Sequence, residues 1–309
     1  MIFTCTMTPS VDYTTYLTDF TAGTINRSNE VYYYPGGKGI NVSRVLKRLG
    51  IANTAYGFIG GFTGDFIQGY LQKEGIQTDF IKIPDTTRIN VKVKADTETE
   101  LNGPGPELSE KNLEALKEKV DCLQKGDWFV LAGRLPETAD SYFYEKIAAI
   151  CRKNSVPLVL DTSGPMLKRL INEKPFLIKP NLEELGELFD VSITDKQQAI
   201  GYAKKLLDTG VSHVVVSMGG DGAILICREG VFFAQAPKGK AVNTVGAGDS
   251  LLAGFLAAYV KSSDIRSALQ YGVASGSATA FAIDLCEKKH ADILAEEVIV
   301  MKQNEGCEA

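Results

Sequence analysis

The stretch Asn243-Thr244-Val245-Gly246-Ala247-Gly248-Asp249-Ser250, which runs directly into the apolar segment Leu251–Tyr259, is the strongest signal for the fold of this chain. It predicts a glycine turn that opens a buried helix. Because the first N–H groups of a helix have no partner within it, the turn directs several of them at one point, which suits phosphate or developing negative charge. Asp249 lies beside that point and can take a proton from a hydroxyl. The combination favours phosphoryl transfer from a metal-bound nucleotide.

The same turn also has a purely structural explanation. An aspartate near a helix N-terminus is favoured by the helix dipole, so a strand-to-helix connection accounts for the same residues. The dipole is expected to favour the ionised carboxylate and to make Asp249 a weak base at rest. Two common nucleotide-binding motifs do not fit, because the chain has no G-x-x-x-x-G-K-[ST] segment and Gly246-x-Gly248 lacks a third glycine at position 251.

Predicted strands and helices alternate along most of the chain. Strands are predicted at Trp128–Ala132, Leu158–Asp161 and Val211–Met218, with helices between them, one of which spans Ala139–Asn154. This alternation is typical of an α/β fold with a doubly wound, mostly parallel sheet. The segment from Glu287 to Ala309 carries no readable signal.

Two segments interrupt the alternation. Residues 11–34 are polar and rich in threonine and tyrosine, and Arg88–Lys94 places basic and polar side chains on one face of a strand and apolar ones on the other. We predict that residues 11–34 and 86–103 form a small β-sheet lid. The predicted α/β core then comprises residues 1–10, 35–85 and 104–309.

The bulk composition excludes several classes of protein. The 309-residue chain has a net charge of −5 and no lysine or arginine cluster, so neither nucleic acid nor an anionic membrane is predicted as a partner. Its six cysteines include no CxxC pair, which argues against a zinc site or redox dithiol and favours a reducing compartment. The first residues do not resemble a signal peptide, and no apolar run reaches roughly 18 residues. A cytoplasmic protein without a membrane span is predicted.

Two further motifs lie towards the N-terminus. Pro35-Gly36-Gly37-Lys38-Gly39-Ile40-Asn41 opens a predicted helix, where glycine N–H groups, the Lys38 ammonium and the Asn41 amide can contact a polyhydroxy or phosphorylated ligand. A glycine-rich loop with a solvated lysine is the structural alternative. Asp12 follows the first predicted strand and is placed to hold sugar hydroxyls, although a turn-forming aspartate accounts for it as well.

Two more motifs lie in the second half of the chain. Lys179-Pro180-Asn181-Leu182-Glu183-Glu184 has the pattern of a capping box, and a functional interpretation adds that Asn181 and Glu184 face nucleotide phosphates and their magnesium ion. Ser217-Met218-Gly219-Gly220-Asp221-Gly222 is either a tight turn or a close approach of backbone to a nucleotide. All these motifs lie near the C-terminal ends of predicted strands, the usual ligand edge of such sheets.

Taken in order, these motifs resemble the ribokinase-like PfkB family of carbohydrate kinases. The segments that carry the resemblance are GGKGIN (Gly36–Asn41), KPNLEE (Lys179–Glu184), SMGGDG (Ser217–Gly222) and NTVGAGD (Asn243–Asp249). The resemblance covers essentially the whole chain. Thr87–Lys92 followed by Glu100–Gly105 is most similar to the branch that contains 1-phosphofructokinases and tagatose-6-phosphate kinases.

The resemblance implies a role for each matching residue. It implies that Asp249 is the catalytic base and that the anion hole consists of the amides of Gly246, Ala247 and Gly248. It implies ATP contacts for Lys179, Asn181, Glu184, Ser217, Gly219, Gly222 and Thr244, with Glu184 reaching Mg²⁺ through the phosphates or water. It implies sugar-phosphate contacts for Asp12, Gly37, Asn41 and Arg88, with Lys38 as a further candidate.

One segment departs from the family pattern. Where relatives commonly carry Ser-Leu-Pro, this chain has Arg134-Leu135-Pro136, so a serine that would touch substrate is missing. We interpret Arg134 as a partner of Arg88 in gripping the substrate phosphate, since guanidinium groups suit phosphate oxygens. An arginine that lies over the surface is the alternative.

The resemblance also implies an activity and its partners. The implied reaction is ATP-dependent phosphorylation of a ketohexose phosphate, D-fructose 1-phosphate to fructose 1,6-bisphosphate, with Mg²⁺ bound to ATP and K⁺ as a further candidate ion. Tagatose 6-phosphate and then fructose 6-phosphate are the alternative substrates, and a non-catalytic sugar-phosphate sensor is the alternative from another class. Because the lid strands have exposed faces, a homodimer formed through the lid is also predicted.

Overall fold

The computed structural model describes residues 1–134, 136 and 141–303. Its strands, in chain order, are β1 (Ile2–Thr6), β2 (Ser10–Tyr16), β3 (Glu30–Gly36), β4 (Asn53–Ile59), β5 (Gln77–Thr78), β6 (Ile81–Lys82), β7 (Ile89–Lys94), β8 (Glu98–Asn102), β9 (Trp128–Ala132), β10 (Leu158–Asp161), β11 (Leu177–Ile178), β12 (His213–Ser217), β13 (Ala223–Cys227), β14 (Gly230–Ala234) and β15 (Val300–Lys302). Its α-helices are α1 (Lys38–Arg48), α2 (Gly61–Lys73), α3 (Glu110–Asp121), α4 (Ser141–Lys153), α5 (Gly164–Leu170), α6 (Leu182–Phe189), α7 (Lys196–Asp208), α8 (Ala247–Ser262), α9 (Ile265–Ala280) and α10 (Lys288–Glu297).

The large sheet has the order β15-β14-β13-β12-β11-β10-β9-β1-β4-β5, and β6 also pairs with β4. Strands from β12 through β5 run parallel to their neighbours. Strands β13, β14 and β15 extend one edge as an antiparallel ribbon. The predicted α/β fold with a mostly parallel sheet is therefore confirmed.

The hydrophobic core lies on both faces of this sheet. Within β9, Phe129 and Leu131 pack into a cluster with residues of α3 and α4. Val130 and Ala132 pack into a second cluster with residues of α8 and α9. Successive side chains of a strand point to opposite faces, so an unbroken apolar run such as β9 is suited to a strand covered on both sides. Burial of each large apolar side chain contributes about 1.5–3 kcal/mol.

A second, four-stranded sheet has the order β3-β2-β7-β8. The predicted alternation along β7 is present, but burial does not follow it: Asn90 and Lys92 on the polar face are each 8% exposed, and on the apolar face Val93 is 7% and Ile89 41% exposed. Asn90 pairs with Asp12 on β2 and with Asn102 on β8, so polar residues from three strands share one face. This small sheet is the predicted lid, and its exact boundaries remain a prediction.

The helices and strands differ from the predicted ones at several places. Strand β12 is shorter than the predicted strand Val211–Met218. The segment after Glu287, which carried no signal, forms α10 and β15. Residues 139 and 140 of the predicted helix Ala139–Asn154 lie outside the described residues. In the part of the chain that is described, no helix has the length and apolarity needed to cross a membrane.

Candidate active site

The carboxyl ends of the central parallel strands open into a cleft of about 1150 Å³. All the predicted site residues except Asp12 line it. They are Gly37, Lys38, Asn41, Arg88, Arg134, Lys179, Asn181, Glu184, Ser217, Gly219, Gly222, Thr244, Gly246, Ala247, Gly248 and Asp249. Asp12 lines a smaller adjoining cavity that shares Asn41, Lys92 and Val245 with the cleft. Residues that are far apart in the sequence thus meet at the sheet edge where α/β folds bind ligands.

The N-terminus of α8 presents free backbone N–H groups to the cleft. Gly246 precedes the helix with φ 79°, and a Cβ atom there would lie 2.6 Å from Leu285 Cδ2, so the turn requires glycine. The Ala247 N–H donates to the Thr244 carbonyl at 3.2 Å. Among the described residues, no acceptor is found for the N–H groups of Gly248 and Asp249. The Gly246 N–H likewise has no acceptor among the described residues, so only Ala247 of the three predicted amides is engaged, and the N–H groups of Gly246, Gly248 and Asp249 are available to an anion.

Asp249 is a buried carboxylate, 6% exposed, in the first turn of α8. Its Oδ2 atom accepts a hydrogen bond from Asn41 Nδ2 at 2.8 Å. Burial, and secondly the negative charge of Asp161, raise the pKa of Asp249 to about 6, while Asn41 and the nearby lysines oppose this rise. Burial and the charge of Asp161 thus shift this pKa in the direction opposite to the one expected from a helix N-terminus.

Asp161 is a functional candidate that the sequence interpretation missed. It ends β10, is 1% exposed, and its Oδ1 atom lies 3.1 Å from Lys38 Nζ and 3.3 Å from Lys179 Nζ. A Cβ atom on Gly248 would lie 3.3 Å from the Lys179 ammonium, which places that charge beside the turn of α8. The sequence signal that could have identified it is an acidic residue at the end of an otherwise apolar strand. Asp161 holds two cations at the edge of the anion site.

Helix α6 and the turn after β12 also line the cleft. Asn181 and Glu184 form the predicted capping box, with Asn181 N–H donating to Glu184 Oε2 at 2.9 Å and Glu184 N–H donating to Asn181 Oδ1 at 2.7 Å. Glu184 Oε1 also lies 3.5 Å from Lys38 Nζ. At Gly222, φ is 94° and a Cβ atom would lie 2.0 Å from the Ala234 carbonyl oxygen, so the turn after Ser217 requires glycine.

Two arginines line another part of the cleft. The half-buried Arg88 donates from Nη1 to the Gly103 carbonyl at 3.2 Å, while its buried Nε finds no acceptor among the described residues. Arg134 is exposed. Burial is the main reason that the pKa of Arg88 is lowered, Asp12 opposes this change, and the positive charge of Arg134 adds to it. Two guanidinium groups that repel each other in one cleft form a suitable site for phosphate oxygens.

Residues 6–289 match the pfkB family of carbohydrate kinases. The chain belongs to this family. It is 49% identical to 1-phosphofructokinase of Bacillus subtilis, over 98% of this chain and 100% of that protein. It is 37% identical to D-tagatose-1-phosphate kinase of Bacillus licheniformis, over 96% of this chain and 98% of that protein. Phosphofructokinase-2 of Escherichia coli in complex with potassium superposes with a TM-score of 0.91 at 27% identity, over 96% of this chain and 98% of the other.

The predicted pfkB resemblance is thus confirmed, and so is the expectation of a kinase in carbohydrate metabolism. The motifs that carried the resemblance lie around one cleft in the structure. The roles assigned to individual residues remain predictions.

Proposed function

We propose that this pfkB family member transfers the γ-phosphoryl group of ATP to a primary hydroxyl of a ketohexose phosphate. The proposed substrate is D-fructose 1-phosphate and the product is fructose 1,6-bisphosphate. One observation carries the proposal: the buried Asp249 carboxylate adjoins the free N–H groups of α8 in a cleft that two arginines also line. The relative named 1-phosphofructokinase supports the choice of substrate.

In the proposed reaction the sugar O6 attacks the γ-phosphorus, the bond from that phosphorus to the ADP oxygen breaks, and the O6 proton passes to Asp249. Asn41 occupies one carboxylate oxygen of Asp249 and leaves the other for the attacking hydroxyl. The Gly248 and Asp249 N–H groups, together with the Lys179 ammonium, stabilise the charge on the transferred group. A raised pKa makes Asp249 a stronger base than an exposed aspartate.

Mg²⁺ bound to ATP is the proposed cofactor. The described residues contain no cluster of three or more His, Cys, Asp or Glu side chains that would enclose a metal ion. This fits Mg²⁺, which commonly binds through substrate phosphates, water and one or two carboxylates. Glu184 is the carboxylate proposed to face it through water. When bound, the ion offsets the negative charge of the nucleotide phosphates.

K⁺ is the proposed second ion, supported by the potassium complex of the Escherichia coli neighbour. The proposal is tested by comparing turnover in potassium and sodium salts at one Mg²⁺ concentration. The proposed location is the cytoplasm, supported by the free thiols of the described cysteines Cys5, Cys122, Cys151, Cys227 and Cys286.

A substrate panel tests the proposed function. ATP is supplied with D-fructose 1-phosphate, D-tagatose 1-phosphate, tagatose 6-phosphate, fructose 6-phosphate or ribose, and ADP formation is followed by a coupled assay. We expect the highest kcat/KM with D-fructose 1-phosphate. Preference for a 6-phosphate would favour the tagatose-6-phosphate or 6-phosphofructokinase alternative, and absence of turnover with all five sugars would leave only a sensor.

The raised pKa of Asp249 predicts how activity depends on pH. The base must be deprotonated, so kcat/KM is expected to fall roughly tenfold per pH unit below the pKa. That decline should begin near pH 6, where Asp249 titrates, rather than near the ordinary aspartate value of about 4. The measurement is kcat/KM for the sugar phosphate against pH. A profile that stays flat to roughly pH 5 would contradict the base assignment.

Arg134 is predicted to bind the substrate phosphate together with Arg88. Arg134→Ala should raise the KM for the sugar phosphate by about 10–150-fold, since a charge-assisted hydrogen bond contributes about 1.5–3 kcal/mol. The KM for ATP should stay unchanged, which serves as the internal control. An unaltered KM for the sugar phosphate would mean that Arg134 does not bind the substrate phosphate.

The outer face of the lid is the proposed dimer interface. Val31, Tyr33, Ile89 and Leu101 lie on that face in the sheet register and are 41–62% exposed. We expect a dimer at micromolar concentration by sedimentation, and a monomer when Ile89→Lys and Leu101→Lys are combined, because buried charges disfavour association. Ile293→Lys, on α10, should leave the dimer intact. A monomeric wild-type protein would end this proposal.

A further inference from the structure

Strand β7 of the lid carries an asparagine whose amide oxygen has no donor. Asn90 is 8% exposed and lines the cleft. Its Oδ1 atom is buried and accepts no hydrogen bond from any described residue. Buried polar atoms in folded proteins are almost always paired, since an unpaired one loses its hydration without compensation. An unpaired acceptor in a ligand cleft therefore indicates that the donor arrives with the ligand.

The orientation of this amide is set by its neighbours. Asn90 Nδ2 donates to Asp12 Oδ1 at 3.1 Å and to Ser10 Oγ at 3.0 Å. The Ser10 hydroxyl donates to the same Asp12 oxygen at 2.7 Å. Because a carboxylate oxygen only accepts, the NH₂ end of Asn90 must face Asp12, and Oδ1 must point away from it.

The three residues are also held by packing. Gly36 on β3 lies against them, and a Cβ atom there would be 2.3 Å from Asp12 Oδ1 and 2.6 Å from Ser10 Oγ. Lys92 Nζ lies 3.6 Å from the second Asp12 oxygen. Ser10 is fully buried, so the group has little freedom to rearrange. Asn90 Oδ1 is thus a preorganised acceptor at a fixed place in the cleft.

We propose that Asn90 is a specificity-determining residue that accepts a hydrogen bond from a secondary ring hydroxyl of the sugar phosphate. The phosphate groups of ATP and of the sugar are mostly ionised at neutral pH and act mainly as hydrogen-bond acceptors, so they are poor partners for the acceptor Oδ1. The 3- and 4-hydroxyls of the ketohexose are donors of the required kind. This inference rests on the proposed function. It adds to that function a residue that recognises the hydroxyl groups of the sugar rather than its phosphate group.

Deoxy analogues of the substrate test the proposal. We compare kcat/KM for D-fructose 1-phosphate and its 3-deoxy and 4-deoxy analogues in the wild-type enzyme and in Asn90→Ala. The wild-type enzyme is expected to lose about 10–100-fold with one of the analogues, because the buried acceptor is then left unpaired. Asn90→Ala should lose a similar factor with the parent sugar and lose nothing further with that analogue.

Asn102→Ala is the matched control. Asn102 pairs with Asn90 across the lid sheet and lines the same cleft, but it is exposed and its Nδ2 donates to Glu100 at 3.4 Å. It should keep the wild-type discrimination between the parent sugar and the deoxy analogues. If Asn90→Ala lowered kcat/KM relative to the wild-type enzyme by the same factor with all three sugars, Asn90 would have a structural role and the proposal would be overturned.

If a thermal melt shows that Asn90→Ala folds poorly, Asn90→Ser should be compared with the wild-type enzyme in the same way. Two results with the wild-type protein are also decisive. A wild-type enzyme that uses both deoxy analogues as well as the parent sugar overturns the proposal without any variant. A wild-type protein that phosphorylates no sugar phosphate at all refutes the proposed function instead, which is a separate result.

Discussion

Asp249→Asn is expected to lower kcat with the sugar phosphate by about 10²–10⁴-fold, the range that general-base catalysis contributes. The amide is nearly the same size as the carboxylate and can still accept the hydrogen bond from Asn41, so the site should keep its shape. It has no capacity to take the proton of the attacking hydroxyl. Turnover is measured by the coupled assay, and the dissociation constant of the sugar phosphate by calorimetry.

The dissociation constant should change little, which separates loss of the base from loss of the site. A variant that turned over at the wild-type rate would show that Asp249 is not the base. A variant that no longer bound the sugar phosphate would show instead that the carboxylate organises the cleft.

Asp161→Asn is expected to lower the free energy of unfolding by about 3 kcal/mol, because removing one partner of a buried ion pair leaves the other charge uncompensated. Asp161 is 1% exposed and its partner Lys179 is 5% exposed. Chemical denaturation gives the measurement. The matched control is Asp65→Asn, which removes an exposed pair with Lys82 and should cost about 1 kcal/mol or less. Equal effects of the two substitutions would contradict the structural role of Asp161.

The same substitution should also change the kinetics. The negative charge of Asp161 helps to raise the pKa of Asp249, so in Asp161→Asn the inflection of the pH profile should move to lower pH. Turnover should fall as well, because Lys38 and Lys179 lose the carboxylate that anchors them beside the anion site. If the inflection did not move, Asp161 would not contribute to the raised pKa of Asp249.

Several parts of the fold and site could be predicted because their causes are local. The glycine turn before α8, the capping box at Asn181 and Glu184, and the apolar strand β9 follow from residue type and short spacing. The strands β5 and β6 have two residues each and leave too short a pattern to be identified. Helix α10 and strand β15 are too short to leave a clear periodic pattern in the sequence. Strand β15 forms because it pairs with β14 at the sheet edge.

The pKa of Asp249, by contrast, could not be predicted from the local sequence. Its neighbours in the chain favour the ionised form, but burial and the charge of Asp161 raise its pKa, and both depend on residues far away in the sequence. Similarly, the alternation along β7 is visible in the sequence, whereas the burial of its polar residues Asn90 and Lys92 is not.

The sequence by itself determined the family, the α/β alternation and the residues that surround the cleft, because these depend on motifs and periodicities within short segments. Only the tertiary structure decided the raised pKa of Asp249, the pairing of Asp161 with two lysines and the unpaired oxygen of Asn90. Those properties are set by distance and burial, and both arise when strands that are distant in the chain become neighbours in a sheet.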